Sequence, residues 1–327
     1  MKKILVITEK PSLAKIIKPI VERKWPGDMV TILAAPPYNQ QPLLPDGDPI
    51  ESCFFGDTKY YLGEGMLYTP GTDKFQIVDV SKYDITPFDE VIFAMDPDHS
   101  SVMAFKYIIE NKFDTEKFLS INAAKLVSWD ERSVALAFCN MEPMSKAFQA
   151  EINYGEVKRY FDWHWAANSL KTLSPVLTNV NADVEDFVLS KYTLLMLHYI
   201  EGNPGKSESA LHDAMHGWRL PSGVVTQIGS AASRAEIIGH LIRLDLVDIN
   251  KDGNRQLLTI NETGKRVLDL TSKRMNDPFM PVRIAEWGNE GLSAAAPEIG
   301  AYLAAMFNDQ IAMNKQLDNK ATVRAPI

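Results

Sequence analysis

The sequence is short of the features that mark secreted, membrane-spanning or uniformly basic chains. Cysteine occurs twice in 327 residues, as Cys53 and Cys139, far apart and in no metal-ligand spacing. This excludes a disulfide scaffold and a cysteine-rich zinc site, and predicts a reduced, cytoplasmic setting. Positive charge is also short, with 34 Lys plus Arg against 42 Asp plus Glu and a formal net charge of −8. A nucleic-acid surface, if present, must therefore be a local basic patch. Long hydrophobic runs are missing, and the apolar part of "MKKILVITEK" is too short for a signal peptide or a membrane span, so no membrane partner is expected. The six histidines are scattered, and His212 and His216 have no acidic or cysteine partner at metal spacing. There is no internal repeat and no low-complexity tract.

What is present suits a globular chain of about two domains, since 46% of residues are hydrophobic and 23% charged. "KILVIT" (residues 3–8) reads as a buried parallel strand, and "KPSLAKIIKPIVERKW" as the helix after it, with Pro11 in the first turn. "DMVTILAA" is expected as a second strand, and residues 36–73 as mostly loop. "DEVIFAMD" (89–96) is a further buried strand, followed by a helix over about 101–111, "KFLSINA" as a strand and "DERSVALAFCNM" as a helix. This alternation predicts an α/β domain over 1–140, a mainly parallel sheet with helices on both faces.

From 141 to 327 the pattern becomes mainly helical. Residues 144–177 mix aromatic and aliphatic positions, "TNVNADVED" reads as a linker, and a helix covers 192–200. "ASRAEIIGHLIRLDLV" is a helix, and the chain then reads as strand, turn at Asp252-Gly253-Asn254, strand, and helix from near Glu262. Helix, hairpin, helix is a winged-helix-like arrangement, common on nucleic acid.

Ligands of open α/β sheets bind at the carboxyl ends of the strands. Glu9 and Lys10 follow the first strand, and Asp96 and Asp98 end a later one. Carboxylates that hold Mg²⁺, with a lysine to stabilise developing charge, suit phosphoryl transfer on a nucleic-acid backbone. Glu9, contributed by another strand, is the carboxylate that completes the Asp96/Asp98 pair. Each of these residues taken singly also has an ordinary use as a helix cap or strand end.

Taken together, "ITEKPSLAKII" and "VIFAMDPD" resemble the toprim domain of type IA DNA topoisomerases, which opens on a strand with Glu-Lys-Pro-Ser and later ends a strand in Asp-Pro-Asp. "YFDWHWAANSLKTL", through Asp162, Trp163 and Asn168, is similar to the Asp-Trp helix of the topoisomerase III-like branch. "KYTLLMLHYI", "IGSAASRAEIIGHLIRLDLV" and "LTINETGKRVLDL" resemble that family's Thr-Leu-Leu helix, its Ala-Thr-Arg-Ala helix and its Thr-x-x-Gly segment. "DPFMPVRIAEW" fits the terminal part through Asp277, Pro278 and Trp287. The matches run in the family's order over most of the chain.

Two departures qualify the resemblance. The family's active-site tyrosine belongs to a gate between the Asp-Trp and Thr-Leu-Leu helices, where this chain has only residues 174–190. Tyr199 lacks the arginine and aspartate of the tyrosine motif and reads as a helix tyrosine packed in place, not as a nucleophile. The family continues Asp-Pro-Asp with Arg-Glu-Gly-Glu, whereas His99, Ser100, Ser101 and Val102 stand here. The resemblance thus implies a degenerate catalytic pair in Glu9 and Lys10, and weakened Mg²⁺ binding by Glu9, Asp96 and Asp98.

The resemblance also implies a toprim/winged-helix groove for single-stranded DNA, with Lys10, Lys158, Arg159, Ser230, Ser233 and Arg234 as contacts. Locally, "GSAASRAE" reads equally as an ordinary helix cap, and Trp163, Trp165 and Trp218 as core more than as base-stacking platforms. Three functions remain open. The leading one is a minimal topoisomerase-like protein that binds single-stranded DNA without strand passage. The others are a Mg²⁺-dependent topoisomerase or nuclease, and a protein-interaction module with a decayed active site.

Overall fold

Leu5 and Ile7 face one side of the first strand and Ile4 and Val6 the other, and all four are fully buried, so that strand must lie between two apolar layers. The computed structural model describes residues 1–68, 74–173, 176–177, 189–253 and 255–324. Among these, the elements of the first half are β1 (Lys3–Thr8), α1 (Pro11–Lys24), β2 (Met29–Ala34), β3 (Gln40–Pro42), β4 (Tyr60–Leu62), β5 (Glu64–Tyr68), β6 (Phe75–Asp79), β7 (Glu90–Ala94), α2 (His99–Glu110), α3 (Thr115–Ser120), β8 (Asn122–Ala123), α4 (Glu131–Cys139), β9 (Glu142–Pro143), α5 (Met144–Ala147) and α6 (Gln149–Thr172).

Seven strands form one sheet in the order β6-β5-β2-β1-β7-β8-β9. Its centre, β2-β1-β7-β8, is parallel, and antiparallel strands close both sides. Ile4 and Val6 pack with Leu13 and Ile17 of α1 and Val134 and Phe138 of α4. Leu5, Ile7 and Phe93 pack on the opposite face with Val102, Phe105 and Ile109 of α2 and Phe118 of α3. The α/β class and the helices on both faces are therefore as expected.

One local expectation was overturned. "KFLSINA" is mostly the helix α3, because Asp114 caps it by accepting the Lys117 N–H (2.8 Å), and only Asn122–Ala123 pairs as strand. Residues 36–73 are mostly loop where described, as expected, but they also carry β5, which pairs antiparallel with β2 and buries Leu67 and Tyr68.

The chain divides into two units. One contains Met1–Leu43, Thr58–Lys158 and Gly288–Leu292, and the other Leu44–Asp57, Arg159–Trp287 and Ser293–Ile327. The first continues past residue 140 because β9 pairs with β8 and Met144, Phe148 and Ile152 belong to its core.

The second unit adds α7 (Lys191–Gly202), β10 (Lys206–Ser207), α8 (Glu208–His216), β11 (Trp218–Arg219), β12 (Val225–Thr226), α9 (Ala231–Arg243), β13 (Val247–Asp252), β14 (Arg255–Ile260), α10 (Glu262–Asp269), α11 (Met280–Glu290) and α12 (Leu292–Arg324). The expected linker "TNVNADVED" lies outside the described residues, as does Asn254 of the expected turn. Beside it, Gly253 takes a left-handed φ of 59°, and β13 and β14 pair antiparallel from Val247↔Ile260 to Asp252↔Arg255. β10 joins as a third strand in the order β10-β14-β13. Gly264 sits against the Leu246 carbonyl, where any Cβ would collide with backbone.

Residues 44–57 form a strap on the end of α6 that belongs to the same unit. Asn168 accepts the Phe54 N–H through Oδ1 (2.6 Å) and donates to the Phe54 carbonyl (2.9 Å), while Lys171 donates to the Asp46 carbonyl. Among the described residues, no helix is long and apolar enough to cross a membrane.

Candidate functional site

The parallel register sets the site. Thr8 of β1 lies beside Ala94 of β7 and Ala34 of β2, so Glu9 and Asp96 leave the sheet at the same edge. Alternation then turns Glu9 to the α2 face, where its carboxylate is largely buried (side chain 10% exposed). Ser101 of α2 donates to Glu9 Oε2 (3.3 Å).

Lys10 bridges the two acids. Its Nζ lies 2.9 Å from Glu9 Oε1 and 3.9 Å from Asp96 Oδ2. The loop after β8 brings Trp129 to the same edge: its indole N–H donates to Asp96 Oδ1 (3.1 Å), and its ring centroid lies 4.8 Å from Lys10 Nζ. Burial pushes the Glu9 carboxyl above the ordinary range, and the neighbouring Asp96 adds to this, outweighing the Lys10 ion pair that pulls it down. The hydrogen bond to Glu9 raises Lys10, so its ammonium stays charged.

Asp98 is placed differently from the other two acids. Its Oδ1 accepts the Ser101 N–H (2.8 Å) and caps α2. Among the described residues, no three His, Cys, Asp or Glu side chains are gathered as a cation-binding group. Val102, where the resembled family has glutamate, is fully buried in the apolar core, and His99 packs edge-on against Tyr154 at 4.9 Å.

The remaining candidates lie elsewhere. Lys158 and Arg159 are half-buried neighbours on α6. Ser230 caps α9, its Oγ accepting the Ser233 N–H (3.2 Å), and both serines are exposed. Arg234 is buried and donates to the carbonyls of Ile228 (3.1 Å) and Gly229 (3.0 Å) and to Gln227 Oε1 (3.1 Å), which holds the turn before α9. Tyr199 packs on Trp218 with ring centroids 5.4 Å apart, and Trp163, Trp165 and Trp218 are buried, as core residues should be. Asp162 pairs with Lys191, which is itself buried.

Sequence reasoning missed Trp129 and the Ser101 contact. The strand-end rule that selected Glu9 and Asp96 applies equally to the loop after β8, so Trp129 was findable once β8 was placed. No protein-family model and no curated protein matches this chain.

Proposed function

We propose that this is a minimal type IA topoisomerase-like protein that binds single-stranded DNA in the cytoplasm and lacks strand passage. The observation that carries the reading is the meeting of Glu9, Lys10 and Asp96 at the carboxyl ends of adjacent parallel strands, with Lys10 positioned to meet a phosphate oxygen. The second unit supports it through element order. Helix α7, strand β10, helix α8, the short β11–β12 pair, helix α9 and then the β13–β14 hairpin, with β14 central in the small sheet, is an order compatible with a winged helix. That would offer the exposed Ser230 and Ser233 at the start of α9 to a phosphate backbone.

The donor set fits Mg²⁺, being oxygen only, and a lysine ammonium already stands between the two carboxylates as a cation. Glu9 and Asp96 would hold the ion, which when bound neutralises phosphate oxygens. Lys10 stabilises anionic charge at the phosphate, Ser101 orients the Glu9 carboxylate, and Trp129 orients Asp96. Tyr199 packs on Trp218, in keeping with a structural role for that tyrosine.

The test is fluorescence anisotropy with a labelled oligo-dT in EDTA across a salt series. Log affinity should fall linearly with log salt, with a slope of about −0.7 per phosphate neutralised, and Lys10→Ala should flatten it. Absence of binding would remove this reading and leave the protein-interaction alternative. Mg²⁺-dependent relaxation or cleavage, lost in Glu9→Ala, would replace it with the enzyme alternative.

A further inference from the structure

Lys10 touches each of the groups that define the acidic site. It ion-pairs with Glu9 at 2.9 Å, approaches Asp96 at 3.9 Å and lies over the Trp129 ring at 4.8 Å. Trp129 at the same time fixes Asp96 through its indole N–H, so one residue positions both the ammonium and one of its anionic partners. The Lys10 side chain is 38% exposed and flexible, so it has room to swing toward solvent when displaced.

We infer that Lys10 is the resident counter-cation of the Glu9/Asp96 pair, clamped by Trp129, and that a divalent cation enters the site only by displacing it. The inference rests on the reading above in which Glu9 and Asp96 are the acids that take Mg²⁺. Displacement lifts the ammonium off both carboxylates and off the indole, so metal entry and lysine movement are a single exchange. Trp129 is a positioning residue in this scheme, acting through Lys10 and Asp96.

The experiment uses the full chain, with Mn²⁺ as a paramagnetic stand-in followed by electron paramagnetic resonance, and Mg²⁺ titrated against tryptophan emission. Lys10→Met should bind Mn²⁺ about tenfold more tightly or better, because a like charge about 4 Å away is removed. Mg²⁺ should change the emission of the wild type, as the ammonium leaves the indole. That change should vanish in Trp129→Phe, which lacks the reporter, and in Lys10→Met, which binds metal but has no ammonium to move. Circular dichroism establishes that each variant is folded, and Lys10→Gln serves if Lys10→Met is not. Equal or weaker Mn²⁺ binding in the lysine variant, no Mn²⁺ binding in either protein, or an emission change that persists in Lys10→Met would each overturn the inference. The oligo-dT titration is run without metal, so its failure is read separately.

Discussion

Asp98 offers the sharpest separation of a structural from a metal-binding role, through the pair Asp98→Ala and Asp98→Asn. Its Oδ1 accepts the Ser101 N–H at 2.8 Å and caps α2, eight of whose twelve residues are buried. Alanine removes that acceptor and leaves a helix-end donor without its partner, a loss of about 1 kcal/mol. Asparagine caps nearly as well as aspartate, so it should cost only about a few tenths. In thermal unfolding followed by circular dichroism, Asp98→Ala should lower the midpoint by about 2–4 °C for a unit of this size. Asp98→Asn should stay close to the wild type. The same two proteins should retain the Mn²⁺ affinity of the wild type within about threefold if the cation is held by Glu9 and Asp96. A midpoint lowered as much in Asn as in Ala would refute the cap argument. A stable Asp98→Asn that has lost cation binding would restore Asp98 as a ligand.

The Lys191–Asp162 pair predicts an asymmetry, because Lys191 is nearly buried while the Asp162 side chain is 30% exposed. Asp162→Ala strands an ammonium among Phe161 and Tyr192 and should cost about 3 kcal/mol in urea unfolding, whereas Lys191→Met leaves a carboxylate that water reaches and should cost less; the reverse order would disprove it. His198 predicts a pH dependence, since burial pushes its imidazole down to about 4. Between the ordinary histidine range and that value the unfolded chain binds more protons than the native one. Stability should therefore be full above about pH 6.5 and fall as pH drops toward 4. His198→Leu should flatten this slope in urea titrations, and an unchanged slope would reject it. His164 and His240, also lowered by burial, act in the same direction, while the raised Glu9 acts in the opposite one.

The parts of the fold that sequence made legible are those whose burial is symmetric or whose period is clean. β1 and β7 are continuous apolar runs because both their faces are covered, and the β13–β14 hairpin is bracketed by Gly253 and by the Asn261 cap of α10. β5 was invisible because it is held by its antiparallel neighbours β2 and β6 and not announced by its own pattern. In α3 only Phe118 is buried, so no apolar stripe announced a helix, although the Asp114 cap did. The aromatic residues of α6 are buried on several sides, which erases the amphipathic signal of a 24-residue helix. At the site, Glu9 and Asp96 followed from strand ends alone. Trp129 did not, because the strand that delivers it is only two residues long. Arg234 shows the opposite limit, since a motif suggests a phosphate ligand where the fold uses its guanidinium to hold the Gln227–Gly229 turn.

The strap across α6 bears on how the chain comes to be made. Phe54 leaves the ribosome 114 residues before Asn168, the side chain that holds both its backbone groups. The first unit likewise waits for Gly288–Leu292 before it is whole. Neither unit is a continuous stretch of polypeptide, so a cut at residue 140 yields one fragment carrying an orphaned strap and another with a bare helix end. Vectorial synthesis therefore releases the segments of the two units in alternation, so neither unit has its full sequence until the last part of the chain is made.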